Sequence, residues 1–102
     1  MNRRCKKKKQ QIKAQELWGL DVHLAKLILP KLKAFREMHR ISYPCNLKNN
    51  GGFEEWNNIL DKMIFAFQYV IEEDKCKVYL SDYDKYEEGI KLFAEYFMDL
   101  WD

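Results

Sequence analysis

The sequence predicts an all-α protein, an antiparallel three-helix bundle, and three observations predict it. Residues 53–73, FEEWNNILDKMIFAFQYVIEE, repeat large apolar side chains at helical spacing. Segments on either side repeat them at intervals of four and three, separated by two connections rich in turn formers. Across 102 residues the chain is 47% hydrophobic and 15% aromatic, enough for one core without disulfide or metal staples.

Residues 1–13, MNRRCKKKKQQIK, carry seven basic groups and no acid. Such a like-charge block is expected to stay disordered, as an interaction arm or a solvated leader. Residues 14–102 form the single helical domain, and the pattern leaves room for a short extra helix around Gln10 to Leu20. Asp21 is placed to cap the first main helix. There Leu24, Ile28, Leu32, Phe35 and His39 recur on one stripe, with Leu27 and Met38 beside it and Val22 and Leu29 off it. Pro30 lacks an N–H, so it is expected to kink or divide this helix.

The connection from Ile41 to Gly52 is marked by Tyr43-Pro44 and by Asn49-Asn50-Gly51-Gly52. In the central helix Phe53, Trp56, Leu60, Met63, Ile64, Phe67 and Ile71 share a face flanked by Ile59, Ala66 and Val70. A stripe that wide needs partners on more than one side, since each large side chain contributes roughly 1.5–3 kcal/mol only when water is excluded. Glu54 and Glu55 place negative charge in the first turn, where the helix dipole favours it. Cys76, Val78 and Leu80 alternate briefly after it, as a loop or an edge segment. Ser81 and Asp84 resemble a capping box. The last helix then runs through Tyr83, Tyr86, Ile90, Phe93, Ala94, Phe97, Leu100 and Trp101 to the terminus. Gly89 beside this stripe lets another helix approach closely.

Charge is divided along the chain: +7 over residues 1–13, +3 over 14–52 and −8 over 53–102. The acidic body is unlike a surface built to lie along DNA, so nucleic-acid affinity would reside in Arg3, Arg4, Lys6, Lys7, Lys8 and Lys9. No run approaches the roughly 20 apolar residues that span a bilayer, and a soluble, cytoplasmic protein is expected. Cys5, Cys45 and Cys76 are widely spaced without metal-ligand partners and read as reduced thiols.

Catalytic signatures are missing: there is no GxSxG, P-loop, HExxH or Glu-x-x-His pair. His23 and His39 are sixteen residues apart, and the carboxylates fall on polar faces and helix ends. The reading is therefore non-enzymatic, with no catalytic residue, cofactor or metal. A small metal-dependent hydrolase is the last-ranked alternative, after a nucleic-acid-associated protein acting through its arm.

Two features depart from a plain bundle. Phe65 and Tyr69, and likewise Leu92 and Tyr96, lie off the core stripes, so they are expected as exposed interface residues of a homo-oligomer. Coverage within the monomer by the segment bearing Leu17 and Trp18 is the alternative. Lys33, Arg36 and Arg40 form a cationic stripe that could hold phosphate, with Tyr43 stacking on a base in a pocket completed by the oligomer. The alternative is a solvated face pairing with acids of the last helix.

The segments WGLD (18–21), LAKLILPKLKAF (24–35), EEWNNILDKMIFAF (54–67) and EEGIKLFAEYFMDLW (87–101) resemble a group of small helical proteins encoded by bacteriophages. The resemblance covers most of residues 17–102, falls mainly on core positions and carries over no functional residue. It implies a phage accessory protein in the cytoplasm of an infected bacterial host. Such a protein would act in counter-defence, by occluding a host immune effector or by sequestering a nucleotide immune signal. The acidic body favours a basic protein partner or nucleic-acid mimicry, while Arg36 and Arg40 favour the nucleotide.

Overall fold

A computed structural model of the chain describes residues 19–74 and 80–101. Three helices make up the described fold: α1 (Leu20–Glu37), α2 (Gly52–Asp74) and α3 (Tyr83–Glu95), joined and followed by 3₁₀ turns at Cys45–Leu47, Leu80–Asp82 and Phe97–Asp99. No strand occurs among the described residues. The central helix is the organising element. Both α1 and α3 pack along α2, while their own backbones stay apart. Trp56, Leu60 and Met63 are fully buried, and Ile59, Ala66, Phe67, Val70 and Ile71 extend the core on both sides. The wide stripe thus has its two partners.

Glycine conformation sets the entry to α2. Gly51 and Gly52 take φ of 104° and 54°, a left-handed region that a side chain would strain. The Gly51 carbonyl accepts the first helical bonds, from the N–H groups of Glu54 (3.1 Å) and Glu55 (3.4 Å).

The first helix differs from expectation in four respects. Its N-cap is Gly19 at φ 63°, and Asp21 stands in the first turn, where its charge still favours the helix dipole. Of the two outcomes expected at Pro30, a kink or a division, the division does not occur. The Pro30 ring is exposed, so the lost bond falls on the solvent side. The buried face is also rotated: Ala25, Leu29 and Leu32 are inside, whereas Leu24 and Leu27 remain 44% and 49% exposed. Leucine or isoleucine at 24, 27, 28, 29 and 32 spreads apolar groups over several faces of this helix, and turning small Ala25 inward lets α1 lie close to α2. Finally, the helix stops at Glu37, which leaves His39 exposed beyond it.

In α3 the N-cap is Asp82, with no side-chain capping bond, so the expected box of Ser81 and Asp84 does not form. Gly89 does what its position predicts. A Cβ there would come 2.2 Å from the Lys62 carbonyl oxygen and 2.6 Å from the Ala66 Cβ, so α2 and α3 cross at a distance only glycine permits. The helix ends at Glu95 rather than at the terminus, and Tyr96 leaves the helical region at φ −107°, ψ 15°. This break turns Tyr96 inward and leaves Phe97, Met98 and Trp101 exposed.

The arm at 1–13, the extra helix around Gln10 with Leu17 and Trp18, and the patch at Cys76 and Val78 lie outside the described residues. No described helix is long and apolar enough to cross a membrane.

Candidate functional site

The cationic stripe is the first candidate, and its members are differently placed. Lys33 is exposed. Arg36 on α1 forms a forked pair with Asp61 on α2, through Nε at 2.9 Å and Nη2 at 3.3 Å. That hydrogen bond, with the carboxylate charge, raises the guanidinium pKa above its already high ordinary value. Arg40 is buried, which corrects its place on an open stripe. It turns back to the end of α1, where its Nη1 donates to the carbonyls of Phe35 and Arg36, each at 3.0 Å, and its Nη2 donates to Asn57. A helix C-terminus has carbonyls without helical partners, and a cation there satisfies them and opposes the dipole. Tyr43 packs edge-on against Phe53 at 4.8 Å and lies over Gly52. Asn46, in the same connection, donates from Nδ2 to the Tyr96 hydroxyl at 2.8 Å.

The interface residues are also redistributed. Tyr69 and Tyr96 are 7% and 6% exposed, so neither is presented to solvent as expected. Tyr96 lies 5.7 Å from the Trp56 ring, and Leu92 is half-buried against the same core. Tyr69 packs against α3, while the segment bearing Leu17 and Trp18 lies outside the described residues. Phe65 remains half-exposed, with the Lys85 ammonium 5.9 Å above its ring.

Covering Tyr69 creates the feature with most chemistry. Its ring stacks on Tyr86 at 5.1 Å and meets Tyr83 at 6.5 Å, while Tyr83 and Tyr86 are 5.5 Å apart. Tyr69 is the buried floor, Tyr86 is half-buried and Tyr83 is 46% exposed. Burial pushes both the Tyr69 and Tyr86 hydroxyls above the ordinary tyrosine value, so they stay protonated and neutral. Carboxylates add to the effect, Glu73 and Asp82 on Tyr69, and Glu73, Asp21 and Glu87 on Tyr86. One end of the molecule therefore gathers three phenol rings and four carboxylates supplied by α1, α2, the turn before α3 and α3. Lys91 and Ile90 complete the rim of a shallow cavity of about 210 Å³ there. Ring faces and carboxylates attract cations together, and Tyr hydroxyls can donate or accept. The carboxylates do not converge on a point: no group of three or more His, Cys, Asp or Glu among the described residues could hold a metal ion.

Sequence reasoning assigned Tyr83 and Tyr86 to the core stripe and the acids to solvated surface. The available signal was the interleaving of tyrosine and acid in SDYDKYEE, residues 81–88, with Tyr69 four residues before Glu73.

A second cavity, an open groove of about 320 Å³, separates α1 from the end of α3. Ile28, Lys31 and Phe35 form one wall, Phe93, Phe97 and Leu100 the other, and Leu32 the base. Comparison with known protein families, characterised proteins and solved structures gave no match.

Proposed function

We propose that this chain is a non-enzymatic, homo-oligomeric phage accessory protein that binds a basic host defence protein in the cytoplasm of the infected bacterium. The observation that carries this reading is the cluster of Tyr69, Tyr83 and Tyr86, with Glu87 on the rim of its cavity and Asp21, Glu73 and Asp82 near enough to act on the ring hydroxyls. A lysine or arginine side chain of the partner meets ring faces and carboxylates in one place, over a body segment of net −8. Occlusion of a protein effector is favoured over sequestration of a nucleotide. Arg36 is already paired with Asp61, and Arg40 is occupied in closing α1, so a phosphate would have to compete with bonds that hold the fold. The setting in counter-defence rests on the resemblance of the core segments to small phage proteins.

The test is phage plating on bacteria that carry single defence systems and express the chain or the variant Tyr83→Ser with Glu87→Lys. Both positions are exposed, so the fold should persist, as circular dichroism would verify. The expected result is that the chain restores plating against one defence system and the variant loses roughly tenfold or more of that effect. Equal activity of the variant, or no effect of the chain on any system, would overturn the reading.

A further inference from the structure

The helices bring the start of the described fold to the tyrosine face. Arg36 pairs with Asp61 and Arg40 with Asn57, so α1 and α2 run antiparallel and α1 begins beside the C-terminal end of α2. Tyr69 stacks on Tyr86 while Gly89 meets Lys62 and Ala66, so α3 is antiparallel to α2 as well and begins at the same end. That end is acidic and open. Residues 72–88, which lead from α2 into α3, carry seven acids and three lysines. Asp21, Glu73 and Glu87 are exposed, as is Tyr83, and Lys85 lies over Phe65 in a different cavity. The sequence that precedes α1, outside the described residues, has the opposite charge: residues 1–13 hold seven basic groups and no acid.

We propose that residues 3–9, RRCKKKK, dock in cis on the tyrosine face and compete there with the basic partner. Reach permits this arrangement. Arg3 is sixteen residues before Gly19 and Lys9 ten, spans of up to about 50 and 30 Å in an extended chain. Packed helices lie about 8–10 Å apart, so α3 stands well within either span of the α1 start. Chemistry favours it. The guanidinium of Arg3 or Arg4 meets the ring faces of Tyr83 and Tyr86 beside Glu87, and the lysines at 6–9 oppose the carboxylates of Asp21, Glu73 and Asp82. Lys91 on the rim is one cation against those four carboxylates. Covalent linkage holds the segment near the face at an effective concentration on the order of millimolar, so a host protein must displace it. The inference rests on the reading of this face as a site for basic groups and adds its regulation: the chain carries its own competitor.

The test places a nitroxide on Cys5, within that segment, in the full chain with Cys45→Ser and Cys76→Ser, and reads amide signals of the isotope-labelled protein by nuclear magnetic resonance. The expected result is a loss of roughly half or more of the intensity at Tyr83, Tyr86 and Glu87, removed by high salt. Asn49 and Asn50, just before α2 at its other end, should keep theirs. A mixture of spin-labelled chain without isotope and isotope-labelled chain without nitroxide should show no loss. A second variant, with Arg3, Arg4 and the lysines at 6–9 replaced by Gln, should bind a short arginine-rich peptide about tenfold more tightly than the native chain. Even broadening along the chain, or none at the tyrosine face, would overturn the docking. Loss in the mixed sample would make it intermolecular and overturn the cis arrangement, and unchanged peptide affinity would overturn the competition. The proposed function is judged separately. Restored plating without broadening at Tyr83 would overturn the arm's docking and keep the host partner, and broadening without restored plating would do the reverse.

Discussion

Two arginines four residues apart illustrate how differently the same side chain is used. Arg40 is buried and supplies donors to two helix-end carbonyls and to Asn57. Hydrogen bonds involving a charged group contribute about 1.5–3 kcal/mol, and removing the donor would leave two part-buried helix-end carbonyls without it. Arg40→Met should therefore lower unfolding stability by about 2–3 kcal/mol in urea denaturation. Arg40→Lys should recover little, because an ammonium lacks the guanidinium fork. Arg36, whose pair with Asp61 is solvent-facing, should cost under about 1 kcal/mol on replacement by Ala. The order of the two losses is the check. The tyrosines make a pH prediction at the same scale. Tyr69 and Tyr86 are raised in the folded state above the ordinary value of 10.0, so the unfolded chain ionises first as pH rises. Their contribution is fully present below 10.0 and is lost as pH climbs from there through the folded-state values. Urea midpoints that decline across this window together with delayed phenolate absorbance would agree. A midpoint that rises there would not.

At the scale of the helix, Gly89 and Pro30 make opposite predictions. Gly89→Ala improves helix propensity by about 1 kcal/mol. However, its Cβ meets the backbone oxygen of Lys62 at 2.2 Å, and overpacking of that kind costs about 1–3 kcal/mol or more. The variant should be destabilised, and adding Ala66→Gly should not rescue it, because the Lys62 carbonyl remains in place. Pro30→Ala restores an N–H to a helix that continues past it and should raise stability by about 1–3 kcal/mol in the same assay. These two residues also mark how much of the fold was legible. The close approach at Gly89 and most of the buried face of α2 follow from spacing, because α2 has one strongly apolar side; the exceptions are Tyr69, expected outside and buried, and Phe53, expected inside and 37% exposed. The rotation of α1 does not. With leucine at 24, 27, 29 and 32 and isoleucine at 28, several faces are nearly equivalent, and packing against α2 selects the one bearing Ala25. The inward turn of Tyr96 depends on a helix end at Glu95 that no glycine or proline announces.

The candidate site was less legible for the same reason at a larger scale. Tyr69 and Tyr86 are 17 positions apart in sequence and stack only because α3 folds back along α2. Asp21 joins the same end through α1. The cationic stripe, by contrast, was visible in sequence and is largely consumed by the fold, Arg36 in an interhelix pair and Arg40 in a helix cap. The described residues are thus polarised, with Lys26, Lys31, Lys33 and Arg36 along α1 and the acidic, tyrosine-bearing end offered mainly by α2 and α3. Such a distribution steers a basic partner to one side, an effect that weakens as salt shortens the Debye length. The measurement that tests this claim most directly is a nuclear magnetic resonance titration of the labelled chain with a short arginine-rich peptide. The account predicts saturable shifts centred on Tyr69, Tyr83, Tyr86, Glu73 and Glu87, diminished by salt and by Tyr83→Ser with Glu87→Lys. Absence of saturable shifts, or shifts centred instead on the far face of α2 around Asn58, would contradict it.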